Sequence, residues 1–170
     1  DKNIKLLNGK PLIIWTIEAA MASNRIDEVI VSTESQKIAD IAKKTGAHVP
    51  FFRPEELADD SAKAIDTYIY TIDKLNNEYD YSIEEFIVLL PTSPLRHISD
   101  IDGAIDLFFN KHADSVMTYC AMNHPPEWAV KINEDSSIAN YFDYIVSGKN
   151  RQEFPTAYIC NGSVYVFRYA

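Results

Sequence analysis

Four stretches of the chain carry side chains able to bind an anionic or hydroxylated ligand. Lys2-Asn3 stands first, ahead of a helix-like run. Arg53-Pro54-Glu55-Glu56-Leu57-Ala58 is the second, and Leu90-Pro91-Thr92-Ser93-Pro94-Leu95-Arg96 the third. The fourth runs from Arg151 to Gly162 and leads into Ser163-Val164-Tyr165. In the third, two prolines bracket Thr92 and Ser93 and fix the backbone where hydroxyls and free amides can face a ligand, which suits a base or a ribose. The alternative is a plain strand-to-helix turn with Arg96 a solvated charge. Arg53 offers a planar fork suited to phosphate or a base edge, although an arginine before proline in a loop is often just surface. Lys131 and Arg151 are either a carboxylate clamp or two solvent-facing charges. Asp59-Asp60 reads as a metal pair or, more simply, as solvated charge or a helix cap. Asn161-Gly162 has the local form of a hairpin turn.

The elements that must position these groups alternate helix and strand. Pro11 suits the first turn of a helix carrying Leu12, Ile13, Trp15 and Ile17. Glu28 to Ser32 is a short apolar run of the kind found in buried parallel strands. Ser35 to Thr45 places Ile38, Ala39, Ile41 and Ala42 on one helical face, with Gly46 as its C-terminal cap. A strand over Ala47 to Phe52 follows, then a helix over Ala62 to Asn76. Glu85 to Leu90 is the clearest strand, stopped by Pro91. Ser99 caps a fourth helix with Ile101, Ala104, Ile105 and Phe108 on its face. Strands over Ser115 to Cys120, Trp128 to Ile132 and Gly162 to Arg168 complete the pattern. Residues 133–161 are polar and too long for an ordinary connection, so they form a functional flap or pack on a partner. Helix–strand units of this kind imply an α/β fold with right-handed crossovers onto a mostly parallel sheet, and ligands binding beyond the carboxyl ends of its strands.

Composition narrows the function classes. With 46% hydrophobic and 24% charged residues, 170 residues are enough for one domain with a buried core. The formal net charge of −9 argues against general nucleic-acid binding, which needs a basic footprint, while a local basic pocket for a small anion remains compatible. No apolar run approaches a membrane span. The two cysteines, Cys120 and Cys160, form no CxxC, and His48, His97, His112 and His124 are scattered, so no zinc site is expected. The opening Asp1-Lys2-Asn3 carries neither a start methionine nor a secretory pattern.

Taken in order, KNIKLLNGKPLIIWTIEAA, EVIVSTES, VPFFRPEELADD, LLPTSPLR, RQEFPTAY and NGSVYVF resemble the acylneuraminate cytidylyltransferase family, from Lys2 to about Arg168. The resemblance implies a three-layer Rossmann-like nucleotide-diphospho-sugar transferase fold, with a mostly parallel mixed sheet and helices on both faces. It implies one cytidylyltransferase domain over residues 1–170, incomplete at both ends, with 133–161 as a dimerisation arm in which Tyr141, Phe142 and Tyr144 give apolar surface to bury. Of the family's phosphate loop, RGGSKGIPxKN, only Lys2 and Asn3 match. Lys2 would neutralise the triphosphate as the catalytic cation, and Asn3 would help hold the nucleotide. Arg53 would lie near the cytosine, and Pro91, Thr92 and Ser93 would wall the base and ribose. Lys131 and Arg151 would hold the sugar carboxylate, with Asn161 and Tyr165 in the sugar pocket. Leu90 stands where the family usually has a glutamine that contacts the acyl sugar. Ile159 and Cys160 replace a second basic residue. Both changes make the pocket more apolar and favour a less hydroxylated sugar of the legionaminic type.

The implied reaction is attack of the sugar's anomeric hydroxyl on the α-phosphorus of CTP, with loss of pyrophosphate. No nucleophilic Ser/His or Cys/His pair is needed, since alignment and charge neutralisation carry the rate. Mg2+ is the expected cofactor, its family ligands lying beyond Ala170, and the chain as written is expected to have little or no transferase activity. CTP, an acidic nine-carbon sugar and a second copy of the chain are the expected partners, in the cytoplasm, without nucleic acid or membrane. The rival readings are a transferase of the same fold for another sugar or nucleotide, and a non-catalytic nucleotide-binding or dimerisation module.

Overall fold

The computed structural model describes residues 2–59, 61–142 and 149–169. They fall into two compact units, Asp1–Thr118 with Gly162–Ala170, and Tyr119–Asn161.

The first unit opens with a 3-10 turn over Lys2–Ile4 and an antiparallel pair, β1 (Leu6–Leu7) and β2 (Lys10–Pro11). Asn8 and Gly9 join the pair with φ of 50° and 78°, the conformation that tight hairpin turns require. Next come α1 (Leu12–Met21) and α2 (Gln36–Thr45). Ile13 and Ile17 of α1 bury against Ile38, Ala39 and Ala42 of α2, with Ala47 and Val49 in the same cluster and Val29 and Val31 packed on it. Gly46 ends α2 at φ 101°, a left-handed conformation that favours glycine, while the Met21 side-chain end near its would-be Cβ is free to shift.

In α3 (Ala64–Glu78), Thr67, Ile72 and Leu75 are buried. Its Thr71 hydroxyl meets Ser32 Oγ at 3.1 Å. Since side chains alternate along an extended segment, Val29 and Val31 face α1 and α2 while Ser32 faces α3. Helices therefore cover both faces of the 28–32 segment, as expected of an α/β fold.

The remaining elements are β3 (Glu85–Val88), α4 (Ile98–Asn110), β4 (Ser115–Ala121), β5 (Val130–Ile132), β6 (Ile138–Asn140) and β7 (Tyr158–Arg168). A second core forms where Ile101, Ala104, Ile105 and Phe108 of α4 meet Val164 and Val166 of β7, with Ile87 and Leu89 packed against them. The cap of α4 is His97 rather than Ser99, and Asp100 reaches back to the His97 amide at 2.8 Å.

The sheet departs from expectation. Its order is β3-β7-β4, and β3 runs antiparallel to β7, pairing Glu85 with Arg168 and Val88 with Tyr165. Among the described residues, the predicted strands at 28–32 and 47–52 meet only in one parallel bridge, Ile30 with His48. The helices and the α/β character hold, whereas a mostly parallel sheet is not what the described residues form. Asn161-Gly162 is also not a hairpin turn. Both residues lie inside β7, where Gly162 takes φ 69°. Proximity of like segments in sequence says nothing about which edge a returning strand will take, and Asn-Gly supports a bulge as readily as a turn.

In the second unit, β5 and β6 pair antiparallel, Val130 with Asn140 and Ile132 with Ile138. The stretch expected to be loop-rich therefore begins with a short hairpin. Trp128 stacks on His124 and meets Phe154 edge-on, and Tyr141 meets Phe142 edge-on. Tyr144 lies outside the described residues.

Candidate functional site

The loop from Leu90 to Arg96 is held from beneath by a side chain whose residues alone read as solvated. Arg96 is 8% exposed. Its Nε donates to Ser163 O at 2.7 Å, Nη1 to Thr16 Oγ1 at 3.2 Å and Nη2 to Leu90 O at 2.9 Å. One guanidinium thus ties the loop to α1 and to β7, a use of the planar fork that lysine cannot reproduce. Burial pulls its pKa down to about 10, against the opposing pull of Asp100, so it stays charged at neutral pH. The signal that could have found it was its place in the PTSPLR run, since nothing in local polarity marks an arginine as buried.

Above this anchor the loop turns tightly, with Ser93 N–H donating to Leu90 O at 3.2 Å and Arg96 N–H to Ser93 O at 3.2 Å. Thr92 is exposed, while Pro91 and Ser93 are half-buried. Ser93 Oγ lies 3.4 Å from Gly162 O, a marginal hydrogen bond. Leu90 Cδ1 and the Tyr165 hydroxyl both converge on Gly162, 3.1 and 3.7 Å from where its Cβ would be. The two sugar-pocket candidates of this unit therefore share one spot, and a side chain at 162 would crowd Leu90 and touch Tyr165.

Asn3, Arg53, Leu90 and Pro91 line the same cavity, of about 760 Å³. Arg53 is positioned by its backbone, whose N–H donates to Thr33 O at 2.9 Å, and its Nη2 pairs with Glu34 Oε2 at 2.5 Å. Burial works to raise the Glu34 carboxyl, yet its backbone hydrogen bond and Arg53 outweigh that and hold it below its ordinary value. Two polar atoms here are buried without a partner, Asn3 Oδ1 and Arg53 Nε. Such atoms cost free energy unless something satisfies them, so they mark where a ligand with both donor and acceptor groups would be rewarded. Glu34 and Tyr68 join this lining and were not foreseen; burial pushes the Tyr68 phenol up. Lys2 is exposed on the adjoining 3-10 turn.

The other candidates belong to the second unit. Lys131 sits on β5 with its Nζ 5.5 Å from the Tyr141 ring centroid, and Arg151 is exposed on a 3-10 turn over Arg151–Glu153. Asn161 is exposed on β7. No described contact joins Lys131 to Arg151. Among the described residues no group of three or more His, Cys, Asp or Glu is placed to hold a metal ion. Asp59 accepts a long bond from Ser61 N–H, and Asp60 lies outside the described residues.

Comparison with known proteins bears on what this arrangement serves. Residues 1–166 match the family model described as cytidylyltransferase. The chain is 34% identical over 167 residues to CMP-N,N'-diacetyllegionaminic acid synthase of Legionella pneumophila, covering 97% of itself and 70% of that protein. It is 32% identical over 166 residues to N-acylneuraminate cytidylyltransferase of Escherichia coli, spanning 38% of that longer protein. Pseudaminic acid cytidylyltransferase of Campylobacter jejuni is 29% identical over 167 residues, with 70% of it covered. Among solved structures, CMP:2-keto-3-deoxy-manno-octonic acid synthetase, complexed with CTP, superposes with a TM-score of 0.68 at 16% identity, covering 98% of this chain and 67% of that one. The 4-diphosphocytidyl-2C-methyl-D-erythritol synthase of Anaerococcus prevotii gives 0.63 at 14% identity, covering 98% and 65%. At such identities the structural likeness speaks to fold alone, but the family match covers nearly the whole sequence, and the chain belongs to the cytidylyltransferase family.

Proposed function

We propose that the protein transfers CMP from CTP to the anomeric hydroxyl of a nine-carbon 2-keto acid sugar and releases pyrophosphate. The observation that carries this reading is the pair of orphaned polar atoms, Asn3 Oδ1 and Arg53 Nε, lining one cavity with Leu90 and Pro91. A cytosine offers an amino donor and ring acceptors, and a ribose offers hydroxyls, so a cytidine satisfies both atoms at once. The relatives' names fit the same chemistry.

In the transfer, the sugar oxygen forms a bond to the α-phosphorus, the bond to the pyrophosphate oxygen breaks, and the hydroxyl proton is lost. Lys2 acts by neutralising charge, Arg53 by holding the cytosine, and the Arg96-anchored loop by fixing nucleotide orientation. The implied Mg2+ finds no ligand set among the described residues. The chain's own groups therefore bind and orient, and the metal's contribution is not assigned to them. Lys131, Arg151, Asn161 and Tyr165 are the proposed sugar-binding residues.

Leu90 and the legionaminate relative at 34% identity both favour a sugar of the legionaminic type over sialic acid. The second unit, with Ile132 74% and Ile138 70% exposed, is the proposed surface for a second copy of the chain. No helix among the described residues is long and apolar enough to cross a membrane. A cytoplasmic site is proposed because the reaction consumes CTP.

Thermal shift with CTP, UTP, GTP and ATP tests the nucleotide. CTP should give the largest rise in Tm, and Arg53→Ala should remove most of it. A larger rise with any other nucleotide overturns the assignment. Titration with legionaminate and with N-acetylneuraminate in the presence of CTP tests the sugar, and equal or tighter binding of N-acetylneuraminate sinks the legionaminic preference.

A further inference from the structure

Arg53 and Glu34 both line the cavity, and the chain ties them together at two points. Arg53 N–H donates to Thr33 O at 2.9 Å, and Arg53 Nη2 donates to Glu34 Oε2 at 2.5 Å. The first bond fixes the main chain where the arginine begins, and the second fixes the far end of its side chain. Between them lies Nε, a donor buried without a partner.

Glu34 itself sits on a turn with little freedom. Thr33 is buried, and its hydroxyl accepts from Ser35 N–H at 3.1 Å, a local bond that holds the turn as α2 begins. The Glu34 carboxylate also accepts from its own backbone N–H, and Arg53 helps to keep it ionised. A charged group on a fixed turn is a suitable stay for a guanidinium on a long, rotamer-rich stem.

Stability does not account for this arrangement. The Glu34 and Arg53 side chains are 36% and 21% exposed, and ion pairs so near solvent contribute little. A buried donor left unsatisfied counts against the fold. The two features are reconciled when an acceptor atom arrives at Nε. Glu34 also cancels the charge of the arginine, so this corner favours a neutral acceptor, such as the ring nitrogen or carbonyl of a base, over a phosphate.

We infer that Glu34 is a positioning residue of the nucleotide site, holding the Arg53 guanidinium so that Nε meets a neutral acceptor on the base. It acts through Arg53. The inference rests on the reading of the cavity as a cytidine nucleotide site. A side chain ordered before the ligand arrives spares binding the loss of its rotamer freedom, a saving of about three- to tenfold in affinity.

Isothermal titration of Glu34→Gln and the wild type with CTP, cytidine and inorganic tripolyphosphate tests this. The variant should bind CTP and cytidine more weakly by a common factor of about three to ten, and tripolyphosphate no more weakly than the wild type does. Added to Arg53→Ala, Glu34→Gln should cause no further loss of CTP affinity, because no guanidinium is left to hold. The ligand-free Tm of Glu34→Gln should stay within about 3 °C of the wild type. Equal CTP affinity in the wild type and Glu34→Gln overturns the inference and leaves the nucleotide reading intact. Further loss on top of Arg53→Ala, weaker tripolyphosphate binding, or a larger fall in ligand-free Tm each gives Glu34 another role and overturns it too. A wild type that binds no CTP overturns the nucleotide reading and this inference with it.

Discussion

Arg96 and Arg151 are both arginines beside short turns, and the two units use them in opposite ways. Arg96 gives up solvent for three hydrogen bonds that join a loop, a helix and a strand. Arg151 stays exposed on a single 3-10 turn. The contrast extends to whole regions. The first unit contains the buried clusters around Ala39 and Phe108, whereas Val130, Ile132, Ile138 and Tyr158 of the second unit are exposed. The first has buried clusters that can hold groups in fixed positions, and the second is the surface proposed for a second copy of the chain. Orientation by a rigid first unit is what a transfer without a covalent intermediate requires.

The largest effect expected of a break in this contrast is in the core. Phe108 is fully buried between α4 and β7, and Phe108→Ala should cost about 3–5 kcal/mol through the cavity it leaves. Trp128→Ala in the second unit removes a larger side chain from a half-exposed place and should cost under about 1 kcal/mol. Urea denaturation of the two variants compares them directly. Equal losses would erase the distinction between the units.

Arg96→Ala comes next, at about 3 kcal/mol, because it removes from a buried place the three hydrogen bonds that tie Leu90 O, Ser163 O and Thr16 Oγ1 to one side chain. Arg96→Lys should recover little, since one ammonium cannot reach three acceptors in a plane. The CTP-dependent rise in Tm should shrink in both variants, and Arg151→Ala should leave it unchanged. Gly162→Ala follows at about 1–2 kcal/mol, from φ 69° and the approach to Leu90 Cδ1 at 3.1 Å.

A pH profile sharpens the picture within the first unit. The Tyr81 hydroxyl donates to Glu28 Oε1 at 2.7 Å, and that bond, with burial, raises the phenol to about 12. A group raised in the folded state stabilises fully below its unfolded pKa of about 10, and the benefit is lost as pH climbs toward 12. Stability measured from pH 9 to 12 should therefore fall in the wild type more than in Tyr81→Phe, which lacks the bond throughout. Parallel curves would remove Tyr81–Glu28 as a contributor.

Much of the first unit was legible in its residues, for reasons particular to each. Helical spacing located α1, α2 and α4 to within a few residues, and Gly46 marked the end of α2 because its left-handed φ of 101° favours glycine. The ordered motifs brought Asn3, Arg53, Leu90 and Pro91 to one cavity. Strand partners were not legible, because an apolar run such as EFIV carries no record of which edge pairs with which chain. Arg96 was hidden for a related reason, since its partners are two main-chain carbonyls and a threonine distant in sequence. β5 falls within the strand expected over Trp128 to Ile132, but its partner β6 was not legible because a three-residue strand with an exposed face has no hydrophobic alternation to read.

The smallest effect on stability belongs to that hairpin and separates the units most cleanly. Ile132 and Ile138 face each other in register and are 74% and 70% exposed. Replacing both with aspartate removes little buried area, so the cost to the isolated chain should stay near 0.5 kcal/mol, including the repulsion of two carboxylates across the pair. If the second unit is the surface for a second copy, the same change places two charges in that interface and should convert dimer to monomer at micromolar concentration by light scattering. Tm extrapolated to low chain concentration should hardly move, because a residue whose apolar surface is already wet contributes through association rather than folding. A variant that remains dimeric with an unchanged Tm would show that the exposed isoleucines serve neither purpose.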